Sequence, residues 1–215
     1  MIRMTISFWR AFAFALLAAV ACAAPASAGF STANYVPCCS TEDIGSFRAE
    51  LTYSYTGGTS ATISITLTND VDPSLGGYIT AIALRPNETA SGLSFVSSSS
   101  PAFLNIAAPV SAAPYGTFTA GAGLGGSFLG GGSPLAGIAT GSSRTFTFSM
   151  TGSASALAAL DAETALSQNS YGMVVRFRGG QGGWSDKVVG CALPAPGALA
   201  LLGAVGILPT RRRRG

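Results

Sequence analysis

The chain has 215 residues with 48% hydrophobic and only 10% charged positions, enough for one domain with appendages or at most two small domains. It contains no histidine, which excludes Ser-His and Cys-His nucleophilic catalysis and most zinc chemistry. The formal charge of +3 belongs to the ends: Arg3 and Arg10 lie near the start and Arg211 to Arg214 at the finish, so the body between them carries six basic against nine acidic residues. That body has no basic footprint for nucleic acid.

Residues 1–28 read as a secretory signal peptide. Arg3 and Arg10 precede or border an apolar stretch, Ala11 to Val20, and Ala26, Ser27 and Ala28 form a small-x-small cleavage site with cleavage after Ala28. Pro25 interrupts the apolar run after about fifteen residues, short of the roughly 20 that a transmembrane helix needs. Export permits disulfides, and Cys38, Cys39 and Cys191 remain after cleavage. Cys191 can bridge either member of the vicinal pair, or Cys38 and Cys39 can bond to each other.

From Ser46 the chain reads as strands. In "SATISITLT", Ala61, Ile63, Ile65 and Leu67 alternate with Ser and Thr, the period of a strand with one buried face. "RAELTYSYTGGT" precedes it, and Gly57-Gly58 supply a turn that accepts positive φ, so the two segments form a β-hairpin. Further strands are expected at Tyr78 to Leu84, Gly92 to Ser98, Tyr115 to Ala120, Arg144 to Met150, Tyr171 to Arg178 and Lys187 to Cys191, separated by turn-rich stretches. About eight such strands predict an all-β fold, an antiparallel β-sandwich over residues 29–191. One helix is expected in "SASALAALDAETALSQ", with Ser153 or Ser155 as N-cap and Leu157, Leu160 and Thr164 on one side.

The glycine-dense middle contains Gly121, Gly123 and Gly126 in G-x-G-x-x-G spacing. No helix pattern follows and no acidic residue stands about twenty positions on, so a turning surface loop is expected there rather than a dinucleotide site. No cofactor is expected. Asp161 and Glu163, two apart on the expected helix, point away from each other and read as solvated charge. Asn69, Asp70 and Asp72 in "NDVDP" cluster oxygen atoms in a turn, the chemistry of a calcium site, although Asn and Asp also populate turns for their backbone hydrogen bonds. Tyr53 and Tyr55 share one strand face and Trp184 sits in a polar turn, so these three are the sequence's candidates for stacking on a sugar.

The last segment, 192–215, carries Pro194, Ala195, Pro196 and Gly197, then an apolar stretch, then Arg211, Arg212, Arg213 and Arg214. As a helix from Pro194 its seventeen residues to Thr210 would span about 25 Å against a hydrocarbon core of roughly 30 Å. Arginines beyond it would stay cytoplasmic and leave the body outside. This architecture resembles the PEP-CTERM sorting signal, with Ala195 where that motif has glutamate. The resemblance implies processing by an exosortase-like membrane protease of Gram-negative bacteria, with the apolar segment held in the inner membrane beforehand. "LTNDVDPSLGGYITAIAL" and "YGMVVRFRGGQGGWSDKVVG" also resemble the passenger domain common before such tails, which implies no activity. The expectation is an exported, non-enzymatic protein of the cell surface or extracellular matrix, structural or adhesive, with exopolysaccharide as a partner. A carbohydrate- or protein-binding module is the alternative, and a secreted glycosidase built on two carboxylates is the third reading.

Overall fold

A computed structural model describes residues 29–193. The expected signal segment 1–28 with Ala26 and Ala28, and the expected sorting motif from Pro194 to Arg214, lie outside the described residues. Within them no helix is long and apolar enough to cross a membrane.

The body is antiparallel β throughout. Strands β1 (Gly29–Ser40), β2 (Phe47–Tyr55), β3 (Ser60–Asn69), β4 (Gly76–Leu84), β5 (Gly92–Ser98), β6 (Phe103–Asn105), β7 (Val110–Ser111), β8 (Thr117–Phe118), β9 (Ala120–Leu124), β10 (Ile138–Ala139), β11 (Ser143–Thr151), β12 (Met173–Gly180) and β13 (Asp186–Ala192) follow in order, with one short helix, α1 (Ala154–Ala158), between β11 and β12. The expected sandwich would separate two sheets. Instead, while β7 pairs only with β8, one main sheet runs β5-β11-β3-β2-β1-β13-β12-β4-β9-β6, with β10 added to β4. It rolls until its two edges touch: β5 meets β9 and β6, and Phe103 of β6 packs edge-on against Phe146 of β11 at 5.0 Å. Rolling leaves few exposed edges, which limits pairing with other chains.

The expected hairpin forms between β2 and β3, with Gly57 and Gly58 at φ +115° and +80°. Alternation on β2 buries Phe47, Ala49, Leu51, Tyr53 and Tyr55, and on β3 it buries Ala61, Ile63, Ile65 and Leu67. With Phe146, Phe148, Ile79 and Phe177 they fill the interior of the roll. Strand β4 is buried on both faces, because the segment from Ile106 to Phe128 folds back over the outside of β4, β12 and β13. There Ile106, Val110, Ala112, Phe118 and Phe128 cover Ala81, Ala83, Val174 and Val189.

Two expectations need correction. Only part of the glycine-dense stretch is a surface loop: Ala120 to Leu124 is strand β9, wholly buried between β4 and β6, while residues 125–137 turn at the surface as expected, with Phe128 alone buried among them. A Cβ on Gly121 would lie 2.8 Å from the Ile82 carbonyl oxygen, and one on Gly123 would lie 2.8 Å from that of Ser127 and 3.1 Å from Ile106 Cδ1. Glycine therefore serves close backbone approach and the seating of the outer layer. The helix is also shorter than expected. Ser153 caps it by accepting from the Ala156 N–H, but Asp161 accepts from the N–H and hydroxyl of Thr164 and turns the chain. The following Ala162, Ala165 and Leu166 enter the core as irregular chain, while Tyr35 and Tyr53 donate to the carbonyls of Ala162 and Leu157.

Strand β1 joins the two halves of the sheet, between β2 and β13, and its C-terminal end is bonded to β13 through a Cys38–Cys191 disulfide. Cys39 remains an exposed thiol.

Candidate functional site

The residues singled out for sugar stacking do not form a site. Tyr53 and Tyr55 are 1% exposed, and their hydroxyls donate to the carbonyls of Leu157 and Gly58. They share parity with Ala49 and Leu51, so they belong to the buried face of β2. Burial raises the Tyr53 phenol to about 12, so it stays a neutral donor. Trp184 is half-buried. Its indole N–H donates to the Leu75 carbonyl at 3.0 Å, and its ring lies so close to Gly77 and Gly180 that a Cβ on the latter would come within 1.8 Å. It closes the core beside Phe177 rather than presenting a stacking face.

The oxygen cluster in "NDVDP" is occupied by its own turn. Asn69 is fully buried, donates to the carbonyls of Gly77 and Ile138 and accepts from the Val71 N–H. Asp70 pairs with Arg48 at 3.2 Å, and Asp72 accepts from the N–H and hydroxyl of Ser74. No group of three His, Cys, Asp or Glu suited to a metal ion occurs among the described residues. The three side chains thus order the β3–β4 connection.

An open cleft of about 740 Å³ lies instead where β12 begins and β13 ends. Tyr115, from the β7–β8 loop, and Tyr171, just before β12, meet edge-to-face at 5.2 Å, and Tyr171 remains 41% exposed. The loop Ser167 to Gly172 forms one wall, and Tyr35, Val189, Gly190, Cys191 and Ala192 form the floor and far side. Arg85 ties the walls together. Its guanidinium lies 4.8 Å from the Phe118 ring centroid and donates to the Thr117 carbonyl, the Ser170 hydroxyl at 2.5 Å and the Tyr171 carbonyl at 3.4 Å. Ser167 links to Ser170 at 2.9 Å and donates to Glu88. That bond is the main reason the Glu88 carboxyl sits below its usual range, with the charge of Arg85 adding to it. Partial burial, then the nearby charges of Cys39 and Asp186, raise the Tyr115 phenol, so it remains protonated.

The lining is therefore an aromatic pair with hydroxyls, side-chain amides, backbone carbonyls and the Arg85 guanidinium. No Asp or Glu lines the cleft, and its one sulfur, Cys191, is bonded to Cys38. Asp161 is held in its turn by Thr164, away from that lining. Such a surface supplies stacking and hydrogen bonds from hydroxyl and amide groups.

Sequence reasoning missed Tyr115 and Tyr171. Their signal is local: each is followed by glycine where a polar loop enters a strand, in "PYGT" and "SYGM". A bulky ring beside a residue without a side chain stands clear of the backbone, whereas Tyr53 and Tyr55 sit inside an alternating run.

Comparison with protein-family models, with curated proteins and with solved structures finds no match to this chain.

Proposed function

We propose that the protein is an exported, non-catalytic adhesive component of the cell envelope or extracellular matrix, which holds a saccharide in the Tyr115–Tyr171 cleft. One observation carries the reading: an exposed aromatic edge over a rim of hydroxyls and side-chain amides, in a cleft lined by no carboxylate or histidine, whose one charged side chain, Arg85, is engaged by Thr117, Ser170 and Tyr171. Sugars present C–H faces that pack on aromatic rings and hydroxyls that pair with amide and serine groups. Export is supported by the signal-like start, by the tail resembling an exosortase substrate, and by the Cys38–Cys191 bond, which belongs to an oxidising compartment. On this reading an exosortase-like membrane protease handles the tail, the membrane holds the apolar segment before processing, and the exopolysaccharide is the partner that the cleft engages.

Two experiments test the two halves. On a glycan array the full chain, in neutral detergent, is expected to bind a neutral oligosaccharide, and Tyr171→Ala is expected to weaken that binding by ten-fold or more. Removal of a central aromatic anchor costs on the order of 2 kcal/mol. Binding that survives the change sinks the cleft assignment. Separately, deletion of Leu193 to Gly215 is expected to move the protein out of its envelope fraction in the native cells. An unchanged distribution refutes the sorting role.

A further inference from the structure

A second feature lies further along the same two strands, with Arg176 of β12 four residues beyond Gly172 and Lys187 of β13 two residues before Val189. Arg176 and Arg178 stand on one face of β12, and Lys187 of β13 is directly paired with Arg176. Like charges in directly opposed positions repel, so a folded sheet retains such a pair only against a cost. Three of the body's six cations gather here although the body is net negative. None of the three makes an ion pair among the described residues, where the only one is Arg48 with Asp70.

Two of the three have single carbonyl partners: Lys187 donates to Ala113, and Arg178 donates to Gly131 at 3.2 Å. Arg176 is the exception. Its side chain is half-buried and its Nε is out of reach of water with no acceptor. A guanidinium offers five donors in a planar fork suited to oxyanions, and here the fork opens on a groove of about 370 Å³. Thr41 and Ser185 place hydroxyls on the groove, and Leu129 borders it. Glu42 also reaches its rim but pairs with none of the cations. Asp186 also lines the groove, but its carboxylate is fully engaged by the loop that follows β1; Arg178 lies outside the groove's lining, two residues further along β12.

We propose that Arg176, Arg178 and Lys187 form an anion-binding site for the acidic groups, carboxylate or sulfate, of a charged polysaccharide. The charges lie in a row along the sheet, with flanking hydroxyls, which suits repeated acidic groups on a sugar chain better than one small ion. Burial and the neighbouring cations lower the pKa of both Arg176 and Lys187, the strain that a bound anion would relieve. The site is separate from the Tyr115–Tyr171 cleft and does not depend on it.

The test is affinity electrophoresis of the full chain in neutral detergent through gels containing polygalacturonate, dextran sulfate or uncharged dextran. The wild type is expected to be retarded by at least one of the two acidic polymers, less so as salt rises, and not by dextran. The polymer that retards it tells carboxylate from sulfate. Arg176→Gln with Lys187→Gln is expected to weaken the interaction ten-fold or more, while Arg144→Gln with Arg48→Gln, which removes the same charge elsewhere, leaves it within two-fold. A second readout separates recognition from architecture. Without polymer, Arg176→Gln alone is expected to raise Tm by about 2–4 °C, because it removes an unpaired half-buried charge. A lowered Tm would show Arg176 to be a structural residue and overturn the proposal. So would failure of both acidic polymers, equal weakening in the two double variants, or binding to anionic phosphatidylglycerol vesicles in place of the polymers.

Discussion

Asp186→Asn is expected to destabilise the fold by about 3–5 kcal/mol, seen as a lower urea midpoint with an unchanged slope. Asp186 is 1% exposed at the start of β13, and each of its carboxylate oxygens accepts three hydrogen bonds. Oδ1 takes the N–H and hydroxyl of Thr41 and the N–H of Glu42; Oδ2 takes the hydroxyl of Ser40 at 2.6 Å and the N–H groups of Ile44 and Gly45. One side chain thereby orders the whole connection from β1 to β2. Asparagine has the same shape but turns one acceptor into a donor, which then faces two backbone N–H groups that cannot rotate away. Each buried donor left unpaired costs about 1–3 kcal/mol, and the remaining bonds lose the strength lent by charge.

The same group sets a pH dependence. Burial by itself would raise the Asp186 pKa, but the hydrogen bonds from Ser40, Gly45, Thr41 and Ile44 outweigh it and bring the group to about 2. A carboxyl depressed in the folded state contributes stability above its unfolded value, near 3.8, and loses it as pH falls through 2. The contribution is about 2 kcal/mol at neutral pH, at 1.36 kcal/mol per unit. The stability gap between wild type and Asp186→Asn should therefore narrow as pH drops from about 4 to 2. A gap that stays constant across that interval would show that the carboxylate's charge contributes nothing.

Much of the sheet was legible because its strands follow a local rule. Where one face is buried and the other wet, as on β2, β3 and β11, the period of two is written in the residues, and those strands lie where alternation places them. Strand β4, covered on both faces, still showed as the apolar run Tyr78 to Leu84, whereas β9, also doubly buried, has no alternation to show. In β9 the coverage is so close that four of the five residues are alanine or glycine, and low complexity then resembles a loop. Strand β1 escaped notice because Pro37 and the following bulge break its pattern just where it pairs with β13.

The site was less legible, for a related reason. Tyrosine is amphipathic, so its identity alone does not tell a core position from a binding position; its register does. Tyr53 and Tyr55 continue the parity of Ala49 and Leu51, which commits them to the interior. Tyr115 and Tyr171 lie 56 positions apart and meet only because the outer layer folds over the sheet. The charged row is similar. Arg176 and Arg178 are visibly on one face of a strand, but that Lys187 opposes Arg176 depends on the register of β12 with β13, which their connecting turn sets. Asp186 gave no signal of its own, since its six hydrogen bonds come from five residues more than 140 positions earlier.

Removing the disulfide by Cys38→Ser should cost about 2–5 kcal/mol, and Cys39→Ser almost nothing. The bridge joins residues 153 apart, so its loss frees nearly the entire body in the unfolded state, where the chain-entropy argument puts the effect near 5 kcal/mol. The sequence leaves both vicinal cysteines eligible, and the bulge decides between them. Val36 pairs with Cys191, but after the shift Cys39 pairs with Val189, two positions further along β13. A diagonal neighbour of that kind lies about 7–8 Å away, beyond the usual span of a disulfide, whereas the Cys38 and Cys191 Cα atoms are 5.8 Å apart. Cys39 should therefore be unable to substitute, and Cys38→Ser and Cys38→Ser with Cys39→Ser should unfold at the same urea concentration. Reducing agent should bring the wild type to that midpoint and leave the Cys38→Ser protein unmoved. If Cys38→Ser alone kept the oxidised wild-type midpoint, Cys39 would have taken over the bridge, and the register of β1 on β13 would have slipped to let it.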